Sequence, residues 1–276
     1  MINPVIVALL AASFGLLIGS FLNVCIYRMP RDLSVVKPRS FCPECNQTIA
    51  WFDNIPLLSY ALLAGRCRRC GHRIPVRYPV VELLTGAMFF CAFWFLGTTL
   101  AAAKFAAFGA IMIALVFSDL EERILPDEFT LGGTAAGVIF AAFVPVSGGI
   151  LLLILFSSKN QWLISVCDSL LAAAICSGSL WAVRALYEKV RNREGLGLGD
   201  VKMGAMIGAF LGIQGALLAL LVGSLLGVII GLSYTWFTGK DASTYELPFG
   251  AFLGVAALGV GFFSEVIFNW YNRLGA

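Results

Sequence analysis

Long apolar runs separated by short polar intervals organise this chain. Eight runs read as membrane helices, at about 4–26, 79–97, 100–118, 129–146, 162–184, 201–214, 216–237 and 248–270. The hydrocarbon core of a bilayer takes about 20 apolar residues of helix. The sixth run falls short of that. The Gly212-Ile213-Gln214-Gly215 boundary therefore decides whether the sixth and seventh spans are separate or one. The first run, Pro4 to Ile26, has no basic residue ahead of it and no small-residue cleavage site, so it reads as a retained helix rather than a signal peptide. Glycines recur four apart in several runs: Gly15 and Gly19, then Gly204, Gly208 and Gly212, then Gly223, Gly227 and Gly231. Small residues at that spacing make one stripe and let helices approach closely. The expected architecture is an all-α polytopic membrane protein of about eight transmembrane helices. It divides into a first helix (1–26), an insert (27–78) and a membrane core (79–276).

Composition agrees. The chain is 59% hydrophobic and only 13% charged, where a soluble domain carries about 25% charged residues. The net charge of +3 says less than where the cations sit. Placing the N-terminus outside puts the loops 27–78, 119–128, 185–200 and 238–247 in the cytoplasm. Those loops and their edges then hold 16 of the 19 Lys and Arg, with only Lys104, Lys159 and Arg273 on the other side. The loop 147–161 becomes an outer connection.

The insert is the one sizeable polar segment. It carries Cys42-Pro43-Glu44-Cys45 and Cys67-Arg68-Arg69-Cys70, with 21 residues between the pairs. Two such knuckles supply four soft thiolates for a tetrahedral zinc ion, and a filled shell of four makes the metal structural. Two disulfides would be the alternative, but a reducing cytoplasm opposes them. His72 lies just past the second knuckle and reads as a solvated side chain. Cys25, Cys91, Cys167 and Cys176 fall in or near spans and read as small packing residues. The insert's arginines read as an anchor on anionic lipid. Nucleic acid is a poor second reading so close to a bilayer.

Two acids stand at the ends of apolar runs. Asp200 follows Gly195-Leu196-Gly197-Leu198-Gly199 and opens the sixth span. A carboxylate in hydrocarbon costs roughly 2.5–3.5 kcal/mol at a helix centre on insertion scales, so its presence asks for a reason. The glycines supply a backbone able to take positive φ and to admit another chain closely. Asp119 closes the third span, and Asp127 reads as a cap or turn acid opening the fourth. With the orientation above, Asp119 and Asp200 reach the same face at the same depth. Two carboxylates brought close share a proton. One then acts as base on a water while the other donates to a carbonyl oxygen, as in aspartic proteases. A proton relay in a transporter would use the same groups, but such acids sit near the midplane, often among internal repeats, which this chain lacks.

Several stretches together resemble the bacterial type IV prepilin leader peptidases, which are bifunctional peptidases and N-methyltransferases of pilus and type II secretion systems. They are Gly19-Ser20-Phe21-Leu22-Asn23-Val24 with Arg28 and Pro30, the four-cysteine loop with Trp51-Phe52-Asp53-Asn54-Ile55-Pro56, and Tyr78-Pro79-Val80-Val81-Glu82-Leu83. Asp119 with Leu125-Pro126-Asp127 and the Gly197-Leu198-Gly199-Asp200 signature complete the set. The resemblance implies a prepilin or pseudopilin substrate with a basic leader ahead of a hydrophobic helix, cleaved after a Gly at the cytoplasmic face of the inner membrane. The new amino terminus is then methylated from S-adenosylmethionine. It implies Asp119 and Asp200 as the proteolytic pair, Asp127 as a weaker substitute for Asp119, and Gly197, Gly199 and Asp127 beside the substrate. It also implies Cys42, Cys45, Cys67 and Cys70 as zinc ligands. It assigns no residue to the methyl donor; Asn23, Asp53 and Glu82 are polar positions near the same face.

Overall fold

The computed structural model describes residues 3–146, 160–193, 195–238 and 247–274. Among these, the regular structure is helical, with two isolated β-bridges in the insert. Most of the outer connection 147–161, most of the loop 238–247 and Glu194 lie outside the described residues. The helices are α1 (Pro4–Arg28), α2 (Leu58–Leu62), α3 (Arg77–Leu96), α4 (Leu100–Glu122), α5 (Asp127–Ala141), α6 (Gln161–Arg191), α7 (Leu198–Thr238) and α8 (Phe249–Leu274). Five of them, α1, α3, α4, α6 and α7, are long and apolar enough to cross a membrane. The Phe249–Phe263 part of α8 is a shorter apolar helix. This is a multi-pass membrane protein. The chain forms two compact units, residues 1–118 and 119–276.

In the first unit α1 and α3 pack antiparallel, and the glycine stripe is the reason. A Cβ on Gly15 would stand 2.8 Å from the Cβ of Phe89, and one on Gly19 would stand 2.7 Å from the Cα of Glu82. Side-chain-free contact of this kind drives helix pairing in lipid, where no hydrophobic effect separates helix from solvent. The seam continues to Asn23, whose Nδ2 donates to the carbonyls of Tyr78 (3.0 Å) and Gly19 (3.3 Å).

In the second unit the expected boundary at Gly212 exists, inside what is otherwise one run of helix. Gly212 has φ 71° and ψ −179°, a conformation glycine takes without a Cβ clash. The chain reverses there. Asp200, at the start of the first arm (198–211), and Gly231, near the end of the second (213–238), both meet residues 247–250 at the start of α8. The sixth and seventh expected spans are thus two antiparallel arms. The glycine stripes divide accordingly. Gly204 and Gly208 press on Leu180 and Ala172 of α6, while Gly223 and Gly231 press on Leu253 and Leu247. Gly212 makes the turn instead of joining the stripe. At 1.5 Å per residue the first arm is about 21 Å long, so it stays shorter than a bilayer's ~30 Å core. α6 extends past its expected end to Arg191. Lys189 and Arg191 face the negative end of the helix dipole, and Asn192 caps it in the left-handed region at φ 51°.

Candidate active site

The Gly-x-Gly-Asp stretch is a helix start. α7 begins at Leu198, so Gly197 occupies the cap position and Asp200 the third residue of the first turn. Asp200 Oδ2 accepts the Gly197 N–H at 3.2 Å. This is the reach-back bond of a capping box, with Asp in the place of Glu. Neither Gly197 nor Gly199 has positive φ; among the described residues the positive-φ glycines are Gly65, Gly71, Gly97 and Gly212. The signature glycines are therefore required for space rather than for backbone conformation. A Cβ on Gly199 would stand 2.9 Å from the Cβ of Leu125, and one on Gly197 would stand 3.3 Å from the Asp200 carboxylate. Leu125 belongs to the Leu125-Pro126-Asp127 corner, so the two halves of the signature touch.

Asp119 comes from the last turn of α4 and is buried, as is Asp200. Its Oδ2 accepts the N–H of Ala251 at 2.7 Å. Ala251 is the third residue of α8, where backbone N–H groups have no partner within the helix and carry the positive end of its dipole. Gly250 lies between the two acids. A Cβ built there would be 3.1 Å from Asp119 Oδ2 and 3.2 Å from Asp200 Oδ1. The gap between those oxygens is no larger than the sum of the two distances. A single water with a reach of about 2.6–3.2 Å to each side can bridge it.

Sequence reasoning brought Asp119 and Asp200 together but missed Gly250 and Ala251. The one local signal is Pro248-Phe249-Gly250, a proline ahead of a helix start followed by a residue without a side chain. Nothing in the sequence links it to either acid.

Asp127 has a separate role in the structure. Pro126 is the cap of α5, and Asp127 is the first residue of its first turn. Both its oxygens accept from Lys202 Nζ, at 2.6 and 2.7 Å, in an exposed ion pair. The three other polar candidates are also engaged. Arg68 clasps Asp53 with three hydrogen bonds of 2.7–3.0 Å, which hold its carboxyl below the usual range. Glu82 accepts the Leu57 N–H at 2.8 Å. Asn23 joins α1 to α3, and its Oδ1 is buried without a partner.

In the insert the two cysteine knuckles fold alike. The Cys42 N–H donates to the Gln47 carbonyl and the Cys67 N–H to that of His72; Asn46 N–H returns to Cys42 and Gly71 N–H to Cys67. The bridges Phe41–Thr48 and Arg66–Arg73 close the two turns. Asn46 (φ 54°) and Gly71 (φ 71°) follow the second cysteine of each pair in the left-handed region, which Gly and Asn accept most readily. The four Sγ atoms lie within 4.8 Å of one another, with Cys42 and Cys70 at 3.8 Å. A tetrahedron with bonds of about 2.3 Å has edges of about 3.8 Å, so the donor set fits zinc. Backbone N–H groups of Cys70 and Arg69 draw the Cys67 thiol down to about 7. At Cys70 the His72 amide pulls the same way, but desolvation and the neighbouring thiols push it up to about 12. His72 stands outside the cluster, 3.8 Å from Glu44.

A separate cavity of about 380 Å³ lies in the first unit, between the end of α1 and the loop 35–54.

Two family models match the chain. The Bacterial Peptidase A24 N-terminal domain covers residues 13–96, and the Type IV leader peptidase family covers residues 106–232. Among similar curated proteins is a prepilin leader peptidase/N-methyltransferase of Legionella pneumophila, 33% identical over 97% of this chain and 95% of that protein. Another of the same name, from Xanthomonas campestris pv. campestris, is 32% identical over 95% of this chain and 93% of its own length. A third, from Myxococcus xanthus, is 38% identical over 84% of this chain, which spans 64% of that longer relative. No solved structure matches the chain.

Proposed function

We propose that this chain, which belongs to the type IV leader peptidase family, removes the basic leader of a prepilin or pseudopilin and then methylates the new amino terminus from S-adenosylmethionine. The observation that carries the peptidase half is the buried pair Asp119 and Asp200, held around the side-chain-free Gly250. One carboxylate takes a proton from a bridging water, whose oxygen attacks the scissile carbonyl. The other donates to the carbonyl oxygen, and the proton then passes to the leaving amine. The Ala251 and Gly197 N–H groups fix the two carboxylates, so their orientation is set before substrate arrives.

Gly197 leaves space beside the Asp200 carboxylate, whereas the space at Gly199 is filled by Leu125. Asp127 pairs with Lys202 of the same α7 start in an exposed position. The substrate's leader is basic and its following segment apolar. Such a chain presents its cleavage point at the membrane interface, where α4 ends and α7 begins. The excess of Lys and Arg in the loops on that side supports a cytoplasmic position for the interface, at the bacterial inner membrane. The shared name of the relatives lends the rival transporter reading no support.

The test is incubation of the purified protein with a prepilin and S-adenosylmethionine, with both products read by mass spectrometry. The expected product lacks the leader and carries one added methyl group. Prepilin recovered at its full mass would overturn the reading, and a shortened, unmethylated product would remove the transferase half. Gly250→Ala gives a sharper check. The new methyl would sit 2.9 Å from Leu125 Cδ1 and crowd both carboxylates, in the space the water needs. Alanine is also the better helix former, so α8 stays formed. Cleavage should fall by about tenfold or more, or roughly 1.4 kcal/mol in the barrier, with no loss of thermal stability. Full activity in this variant would place the reaction elsewhere.

A further inference from the structure

We infer that the cavity between the end of α1 and the loop 35–54 holds one anionic phospholipid of the adjoining leaflet, its phosphate between Arg28 and Arg39 and an acyl chain along α1. Arg28 carries the inference. It closes α1 and is only 5% exposed. Its guanidinium donates to the carbonyls of Ser34 (2.9 Å) and Arg39 (3.4 Å) and lies 5.9 Å from the centre of the Phe41 ring. Among the described residues no carboxylate faces it. The carbonyls and the negative end of the α1 dipole are partial charges and offset only part of its own. An arginine at the end of a membrane helix usually sends its charge out into the headgroups. Here the loop roofs it over, and a buried cation without a counter-charge is costly. Arg39 lines the same cavity from the loop, exposed and with no ion pair for its side chain among the described residues.

The cavity has one charged end and one apolar end. Leu17, Phe21, Val24 and Arg28 line it at helical spacing, so they form a single stripe. That stripe runs along the side of α1 away from Gly15 and Gly19, the glycines that press on α3. Leu17 is 59% and Phe21 50% exposed, so the deeper part of the stripe is open sideways. Leu17 lies 11 residues before Arg28, or about 16 Å along the helix. That is about half of a ~30 Å hydrocarbon core, the depth one leaflet's acyl chains fill. Val35, Val36 and Ile49 of the loop add apolar surface near the charged end. The volume of about 380 Å³ falls in the range of small-molecule sites, about 300–1,000 Å³.

The lining selects the ligand. It holds two arginines and no acidic residue, so it repels cations and favours an anion. A phosphate presents paired oxygens to the guanidinium fork. A soluble phosphate would use that end alone and leave the apolar stripe without a role. A phospholipid uses both ends and enters sideways from the bilayer. A zwitterionic headgroup carries its own cation and so gains less from two arginines than an anionic one. Trp51, 74% exposed at the rim, has the amphipathic ring that sits at headgroup level. This is a built site, unlike the attraction of the insert's other arginines to a charged membrane surface. That attraction needs no cavity and is screened by salt.

The full-length protein in detergent micelles is titrated with phosphatidylglycerol and, separately, with phosphatidylcholine, and bound lipid is counted by native mass spectrometry. Wild type should take one phosphatidylglycerol about tenfold more tightly than phosphatidylcholine. Arg39→Gln should abolish that preference. Leu17→Ala with Phe21→Ala should weaken both lipids alike. Lys37→Gln, an exposed cation beside the cavity but outside its lining, should bind as wild type does. Arg28→Gln removes the buried charge but also unties the loop, so Arg39→Gln is the deciding variant, with zinc content reporting that it folds. An unchanged preference in Arg39→Gln would overturn the site. An equal loss in Lys37→Gln would reduce it to surface charge and overturn it as well. Inorganic phosphate that displaces phosphatidylglycerol at equal concentration would make the ligand a soluble anion and overturn the lipid.

Discussion

Asp119→Asn and Asp200→Asn each lower leader cleavage by about 10²–10⁴-fold, the range for a general acid or base, without unfolding the protein. The second half of that statement follows from the hydrogen bonds. Asp119 Oδ2 accepts from Ala251 N–H and Asp200 Oδ2 from Gly197 N–H. The amide oxygen of Asn can accept the same bond in nearly the same volume, so no buried N–H is orphaned. What Asn cannot do is take a proton from water or pass one on. Either variant should therefore insert normally, hold its zinc and bind prepilin, yet leave it at full mass. The Asp119–Asp200 double variant should be no worse than the poorer single one, because the two carboxylates act as one unit. Asp127→Asn is the contrasting case. It removes one partner of an exposed ion pair with Lys202, worth at most about 1 kcal/mol, and should keep cleavage within a few-fold of wild type. Full cleavage by Asp119→Asn together with loss in Asp127→Asn would exchange the roles of the two residues.

The acids and the cysteines were legible in the sequence because their chemistry is expensive or periodic. A carboxylate at the mouth of an apolar run needs a function, and two CxxC pairs need a metal. The break at Gly212 was legible as a question. Its position could be read, but only the dihedrals show the chain turning back on itself. The glycines of the signature misled in one respect. Glycine permits both positive φ and close approach, and the sequence does not say which is used; here it is close approach, against Leu125. Gly250 and Ala251 were illegible for a more basic reason. They act through long-range contact, 132 residues from Asp119 in the case of Ala251. A helix N-terminus that donates to an acid looks, in sequence, like any other helix N-terminus.

Removing the metal should undo the insert outright. Among residues 31–76 only Cys42, Ser59 and Gly65 are buried, so this segment has almost no apolar core with which to offset the entropy of ordering its chain. Its other ties are hydrogen bonds, among them the two knuckle turns, the Arg28 and Glu82 bonds to its backbone and the Arg68–Asp53 clasp, and an exposed ion pair contributes about 1 kcal/mol at most. Structural zinc in small peptides contributes about 10–16 kcal/mol of apparent binding free energy, far more than any other term available here. Wild-type protein should carry one zinc per chain by atomic absorption. Cys42→Ser with Cys45→Ser should carry none, and limited proteolysis should then cut readily between the ends of α1 and α3. A strong chelator should do the same to the wild type, reversibly on returning zinc. The cysteines and the aspartates lie in different compact units, so cleavage and methylation need not fall together. A wild-type protein that resists proteolysis while free of zinc would show that something other than the metal holds residues 31–76 in place.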